Sequence, residues 1–298
     1  MDRLNWLTEN LYYLAIPYFL VAMAYEVWVL RSAKAAHFKG YDWRDSATSI
    51  SLGIFNLVMR AAFAALTIWV SFAVYEHRLF ELSPLVWWTW PILWLAEDFT
   101  FYWYHRASHR VRFMWADHVN HHSSQHYNLS TALRQPVIEM AWAWVLWLPL
   151  VLIGFHPVAV ALAAGLNLLW QFWIHTESVR HIGVFERFMN TPSHHRAHHG
   201  SNPEYIDKNY GGWLIVWDKL FGTFAPETVP VRYGLVKNID SFNPFKVITH
   251  EWAHMLAHAW NARGLGSKLR WVFGPPEYNG TEAPDTETAS LFTSAGNK

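Results

Sequence analysis

Long apolar runs alternate with short polar segments along most of this chain, and the runs are too long for strands. Residues 11–30 carry Glu26 as their only charge, and residues 49–75 carry only Arg60. Residues 84–104 form a third run, and residues 137–155 and 157–174 form a fourth and fifth on either side of a tight Gly154-Phe155-His156-Pro157 break. Each run reaches roughly the 17–25 residues a helix needs to cross a bilayer. The pattern predicts an all-α integral membrane protein with four to five transmembrane helices. From about residue 176 the chain turns more polar. Thr191-Pro192-Ser193 opens a helix with Ser193 as its expected N-cap, Asp207 to Gly212 reads as a turn, and residues 244–262 suit an amphipathic surface helix. From Gly274 the chain is rich in Pro, Gly, Thr and Glu and reads as disordered. The organisation expected is membrane spans over 1–80, a histidine-bearing di-metal domain over 81–225, an amphipathic region over 226–272 and a disordered tail over 273–298.

Composition sharpens the membrane reading. The chain is 52% hydrophobic and 15% charged, against roughly 25% charged in a typical soluble domain. Its 20 tryptophans and 13 tyrosines suit the aromatic belts of membrane interfaces. A net charge of zero points to no nucleic-acid partner, and the lack of cysteine excludes disulfides and thiolate-held metal clusters within the chain. The first apolar run lacks a small-residue cleavage site and reads as a span rather than a signal peptide. Arg31, Lys34, Lys39 and Arg44 follow that run, so the loop they occupy is expected on the cytoplasmic side. Counting spans from there, each later hairpin returns its histidines to the same side, which predicts a cytoplasmic helical cap.

Those histidines are the candidate chemistry. Asp98, Tyr102, His105 and His109 fall within about 60° of one another on a helix. His118, His121 and His122 share a face at i, i+3 and i+4, and the same HxxHH spacing recurs at His195, His198 and His199. Eight imidazoles in three helical-phase clusters are too many for one metal and suit two. His175, at the end of the fifth run, is a ninth candidate ligand. His194 points about 100° away from His195 on a helix and suits a supporting role, while His126, His156 and His181 read as surface residues. Neutral imidazole suits iron, zinc, copper or nickel alike. Nine neutral ligands leave the metals' charge uncompensated, which directs attention to carboxylates: Asp98 on the histidine face, Asp117 beside His118 and Glu177 beside His175. Asp98 and Glu177 are the candidate catalytic supports; Asp117 reads equally well as a solvated helix-end charge.

His105-Arg-Ala-Ser-His109, His118-Val-Asn-His-His122 and His194-His-Arg-Ala-His-His199 together resemble the eight-histidine signature of the fatty acid hydroxylase and sterol desaturase superfamily. Tyr127 to Gln135, Phe172 to Glu177, Asn190 to His195, Asp207 to Gly211, Trp217 to Phe224 and Tyr233 to Val236 resemble the alkylglycerol monooxygenase branch more narrowly. The resemblance spans roughly residues 90–277. It implies two iron ions, O2-dependent attack on a lipid C–H bond and an external electron donor, with tetrahydrobiopterin as the branch's reductant. It also brings Asn128, Asn209 and Tyr210 to the site. The chain departs from the animal enzymes at Arg110, Gln125 and His126, where they carry acidic residues.

Alternatives stand beside this reading. Within the superfamily, a sterol, fatty-acid or carotenoid hydroxylase or desaturase shares the same boxes. His250-Glu251-Trp-Ala-His254 matches the HExxH motif of zinc metalloproteases. A histidine-rich metal transporter fits poorly, because its ligands belong near the bilayer midplane rather than at one face.

Overall fold

The computed structural model describes residues 2–31 and 38–280, and these contain helices and no β-strand. Lys34 and the last part of the expected tail, 281–298, lie outside the described residues. From Tyr13 onward the first helix, α1 (Asp2–Leu30), exposes apolar side chains such as Leu14, Ile16, Leu20 and Val21, whereas Glu26 is buried. Helix α2 (Trp43–Glu76) starts at Asp42, whose side chain accepts from the Arg44 and Asp45 backbone N–H groups. Its buried residues, Asp45, Thr48, Ser49, Leu52 and Asn56, all lie in its first four turns. The rest of α2 exposes Ile68, Trp69 and Phe72, a surface suited to lipid. Helix α6 (Pro157–Ile174) sits between α1, α2 and α3 and is half buried.

Three helical segments are long and apolar enough to cross a membrane: Tyr13–Leu30, Trp43–Glu76 and Pro157–Ile174. A fourth is available only as the bent pair Leu129–Ala141 and Ala143–Ile153, which turns through 86°. By length and composition the described residues therefore offer three or four spans, which meets the four to five expected at four. The third predicted span is not among them: α3 (Thr89–Arg110) buries one polar face and exposes Ile92, Leu95, Phe99 and Trp103 on the other. It buries Glu97, Asp98, Tyr102, His105 and His109 against α4, α6 and the 213–221 segment. The fourth, 137–155, breaks into 3-10 turns at Ile138–Ala141 and Ala143–Trp147 before the short helix α5 (Leu148–Ile153), and a further 3-10 turn, Leu129–Leu133, precedes it. Irregular backbone of this kind is tolerated at membrane depth where protein covers it.

The chain reverses twice at the end remote from the histidines. Leu79 and Phe80 donate to Leu152 O and Ile153 O at 2.8 and 3.0 Å. Gly154 closes this contact at φ 135°, with the Phe80 carbonyl oxygen 2.2 Å from where a Cβ would stand, so only glycine fits. At the opposite end, Ser124 Oγ donates to Asp45 at 2.5 Å, bringing the start of α2 to the exit of α4 (Arg112–His122). The polar half then adds α7 (Pro192–His198), α8 (Val216–Phe221), α9 (Pro244–Asn261) and α10 (Leu265–Phe273). Thr191, not Ser193, is the N-cap of α7, with Pro192 in the first turn, where a missing N–H costs nothing. Helix α9 packs Val247, Ile248, Met255 and Ala259 inward and exposes Phe245, Leu256 and Trp260. In place of disorder from Gly274 onward, residues 274–280 pack on α4. Arg112 N donates to Gly274 O at 2.9 Å, and the Arg112 guanidinium donates to the carbonyls of Pro276 and Tyr278.

Candidate metal centre

Four elements deliver the histidines to one buried place. Helix α3 brings His105 and His109, α4 brings His118, His121 and His122, the C-terminus of α6 brings His175, and α7 brings His195, His198 and His199. They sort into two sets whose ligand atoms lie within 4.8 Å of one another: His105, His109, His118, His122 and His198 in one, and His121, His175, His195 and His199 in the other. All nine are buried. The sets abut, with the His122 and His199 rings stacked at 4.4 Å between centroids.

Backbone carbonyls fix the ring orientations. His105 Nδ1 donates to Tyr210 O at 2.9 Å and His198 Nδ1 to Lys208 O at 2.8 Å. His121 Nδ1 donates to Arg134 O at 3.2 Å and His175 Nδ1 to Gln171 O at 2.6 Å. A neutral imidazole carries one N–H, so in these four rings Nε2 bears a bare lone pair. Those lone pairs point at each other: His175 Nε2 lies 3.1 Å from His121 Nε2 and 2.9 Å from His195 Nε2, and His105 Nε2 lies 3.1 Å from His118 Nε2. The His121–His175 contact joins two acceptors and cannot be a hydrogen bond. His109 Nε2 and His198 Nε2 are buried without any partner. Converging lone pairs and unpartnered nitrogens fit metal ions, with the carbonyls supplying the outer contacts that orient metal-binding imidazoles.

Electrostatics agree. Burial, followed by the neighbouring imidazoles, holds the rings well below the ordinary histidine range. His175 is pushed down to about 3 despite the opposing pull of the Gln171 carbonyl, and His198 to about 4. The rings are therefore neutral ligands at physiological pH.

The candidate supports lie around this centre without touching its ligand atoms. Asp98 accepts from Trp213 N at 2.6 Å, Leu214 N at 3.1 Å and Trp217 Nε1 at 2.8 Å. It contacts no histidine, and instead pins the segment whose Lys208 and Tyr210 carbonyls hold two rings. Glu177 takes a hydrogen bond from Tyr233, and burial raises its carboxyl to about 7. Asn128 is a cap: its side chain accepts from Ser130 N and donates to the carbonyls of Gly40 and His126. Asp117 is fully buried rather than solvated; burial raises it to about 6, and it accepts from Glu139 N and Asn120 Nδ2. His194 Nδ1 contacts Thr191 and Met189 O, away from both sets. Tyr210 packs its ring 5.1 Å from His109. The HExxH residues are elsewhere: His250 Nδ1 donates to Val247 O, and Glu251 pairs with Arg112 at 3.6 Å.

Sequence reasoning missed several supports. Asp218 accepts from Tyr210 N, Gly211 N and Thr223 Oγ1, a second pin on the same segment. Arg134 is buried, its carbonyl holding His121 while its guanidinium spans Asn120 O, Ser123 and Asp45. Glu97 accepts from Asn167, Asn167 accepts from Gln171, and the Gln171 carbonyl takes His175. A charge inside an apolar run was the available signal for Glu97.

A cavity of about 440 Å³ opens from the apolar faces of α2 and α6 and ends on His105, His118, His121 and His175.

Comparison with known proteins follows this geometry. Residues 90–223 match the fatty acid hydroxylase family model. The alkylglycerol monooxygenase of Homo sapiens is 40% identical over 93% of this chain and 65% of its own length. That of Xenopus tropicalis is 43% identical over 78% of this chain and 52% of its own. The lathosterol oxidase of Rattus norvegicus is 28% identical over 43% of this chain and 42% of its own. The chain thus spans less than two thirds of the length of these relatives. No solved structure matches it.

Proposed function

From the premise that this chain carries a fatty acid hydroxylase domain over residues 90–223 and is homologous to the alkylglycerol monooxygenases, we propose that it is a membrane-bound, O2-dependent oxidoreductase of lipids. The reaction proposed is hydroxylation of an ether lipid at the carbon beside the ether oxygen. The product is a hemiacetal, which collapses to a fatty aldehyde and glycerol. The observation that carries this reading is the pair of inward-facing histidine sets at the floor of a cavity that opens between apolar helices.

Two iron ions are the proposed cofactor, one held by His105, His109, His118, His122 and His198, the other by His121, His175, His195 and His199. Bound there, they supply the oxygen activation that no side chain of this protein can perform. The protein's own residues orient and exclude. The Tyr210, Lys208, Arg134 and Gln171 carbonyls fix four rings, Asp98 and Asp218 hold the segment carrying two of those carbonyls, and burial keeps bulk water from the centre. Glu177 and Asn128 are proposed as positioning residues: one anchors Tyr233, the other ties the turn after α4 to Gly40. Electrons come from an external donor, with tetrahydrobiopterin as the candidate. Arg31, Lys39 and Arg44 favour the cytoplasmic side for the histidine end.

The test combines metal analysis with turnover. Purified protein should carry close to two irons and convert a 1-O-alkylglycerol to aldehyde only with O2 and tetrahydrobiopterin both present. Faster oxidation of a sterol or fatty acid, with no aldehyde from the ether lipid, would replace this substrate by one of the superfamily's others.

A further inference from the structure

The cavity is apolar along most of its wall, yet its histidine end is not. Glu139 lines it, is 3% exposed, and uses one oxygen to accept from Tyr104 while its Oε2 has no partner. Its backbone N–H is committed to Asp117 Oδ2 at 2.7 Å, which fixes the carboxyl where it stands. Arg60, the only charge within residues 49–75, lines the same cavity and attracts that carboxyl; Gln135 adds a third polar side chain. Tyr104 and Gln135 adjoin, in sequence, residues that bind or orient the centre: His105 and Arg134. The wall lined by Ile68, Leu148 and Val160, by contrast, carries no charged side chain; its α2 side adds only the hydroxyls of Thr67 and Ser71.

A buried carboxyl oxygen without a partner is destabilising, so a hydrogen-bond donor from a ligand is the natural complement. A volume of about 440 Å³ is toward the small end of pockets for organic ligands, roughly 300–1,000 Å³, and suits one alkyl chain.

We propose that Glu139, with Arg60 beside it, is the receptor for the hydroxylated head of a single-chain lipid, which therefore enters head first and leaves its alkyl chain toward the α2 and α6 wall. Head-first binding brings the first carbons of the chain, rather than its terminus, to the histidines. The inference rests on the ether-lipid reading and deepens it. The reactive carbon beside an ether oxygen is the chain carbon nearest the head, so the same contact that reads the glycerol sets the position attacked.

The experiment has two arms on the iron-loaded protein in lipid nanodiscs. In the first, two 1-O-alkylglycerols carry a photoreactive diazirine, one near the ether and one at the chain terminus. The near-ether probe should label Tyr104, Gln135 or Glu139, and the terminal probe the wall around Ile68, Leu148 and Val160. The reverse pattern, or no label in the cavity, overturns the proposal whatever the turnover. In the second arm, Glu139→Gln and Arg60→Met are compared with the native protein on a 1-O-alkylglycerol and its 2,3-di-O-methyl ether. The native preference for free hydroxyls should be about tenfold or more in kcat/KM, and it should collapse in both variants through KM while iron content holds. An unchanged preference in both variants overturns the proposal. If a sterol proves the substrate, the ether-lipid reading fails on turnover, and the labelling arm still decides how a single-chain lipid sits in the cavity.

Discussion

Asp98 touches no metal-binding ring, yet its removal should empty one histidine set before the other. Its carboxylate receives Trp213 N, Leu214 N and Trp217 Nε1, and it is wholly buried. Asp98→Ala leaves three half-buried donors without their acceptor, each costing at most roughly 1–3 kcal/mol. That strain falls on the segment whose Lys208 and Tyr210 carbonyls orient His198 and His105, both in the five-histidine set. The four-histidine set takes its orientation from Arg134 and Gln171, on other elements. Loss of such outer contacts typically weakens metal binding about 10- to 100-fold, roughly 1.4–2.8 kcal/mol. Chelator titration of the iron-loaded variant, read by metal released, should therefore show one metal leaving at about 10- to 100-fold lower chelator than in the native protein, with the second unmoved. Two metals leaving together, or neither shifted, would refute the division of labour drawn from the carbonyl contacts.

Other outcomes follow from the same geometry. His121→Ala should remove a metal from the four-histidine set and abolish lipid oxidation, whereas His254→Ala, outside both sets, should leave turnover within about twofold; loss of activity in a folded, iron-loaded His254 variant would reinstate the HExxH segment. Gly154→Ala should lower the yield of folded protein sharply, since the new Cβ meets the Phe80 carbonyl at 2.2 Å; a normal melting temperature would count against the turn. In metal-free protein, histidines pushed from the usual 6.5 toward about 3 (His175) and about 4 (His198) contribute stability that is complete above pH 6.5 and lost as pH falls toward those values. Outside the candidate spans the buried acids Glu97, Asp98, Asp117, Glu177 and Asp218, all raised by burial, act in the opposite sense, but they are fewer than the nine imidazoles. The melting temperature should fall steadily between pH 6.5 and 4, and a rise on acidification would contradict the burial assigned to the rings. Replacing the ether oxygen of the substrate by CH2 should stop aldehyde release, and cleavage of that analogue at the native rate would exclude the hemiacetal route.

The histidine boxes were legible in the sequence because helical spacing alone puts i, i+3 and i+4 on one face, as α4 and α7 now do. His175 was legible because a span ends on it. The third run read as a span because Ile92, Leu95, Phe99 and Trp103 do form an apolar outer face, while the burial of Glu97 and Asp98 on the other face depends on partners distant in sequence. The fourth run, 137–155, read as one straight helix because composition cannot distinguish that from several short turns. The partners of the rings were not legible at all. A carbonyl oxygen is present at every residue, and nothing in the letters at 134, 171, 208 or 210 tells which one a distant imidazole will meet. Glu139 went unremarked because a single charge in an apolar run gains meaning only when Tyr104 and Arg60 are seen beside it.

Ring orientation by main-chain oxygens has a consequence for how this scaffold can change. A side chain that holds a ligand must be preserved in kind, but a carbonyl survives any substitution that leaves the backbone path intact. Positions 171, 208 and 210 can therefore drift in identity without releasing His175, His198 or His105, provided that turns and helix ends keep their course. Divergence can then accumulate around the cavity while the histidines stay aimed, allowing one histidine centre to be refitted to new ligands by altering the wall alone.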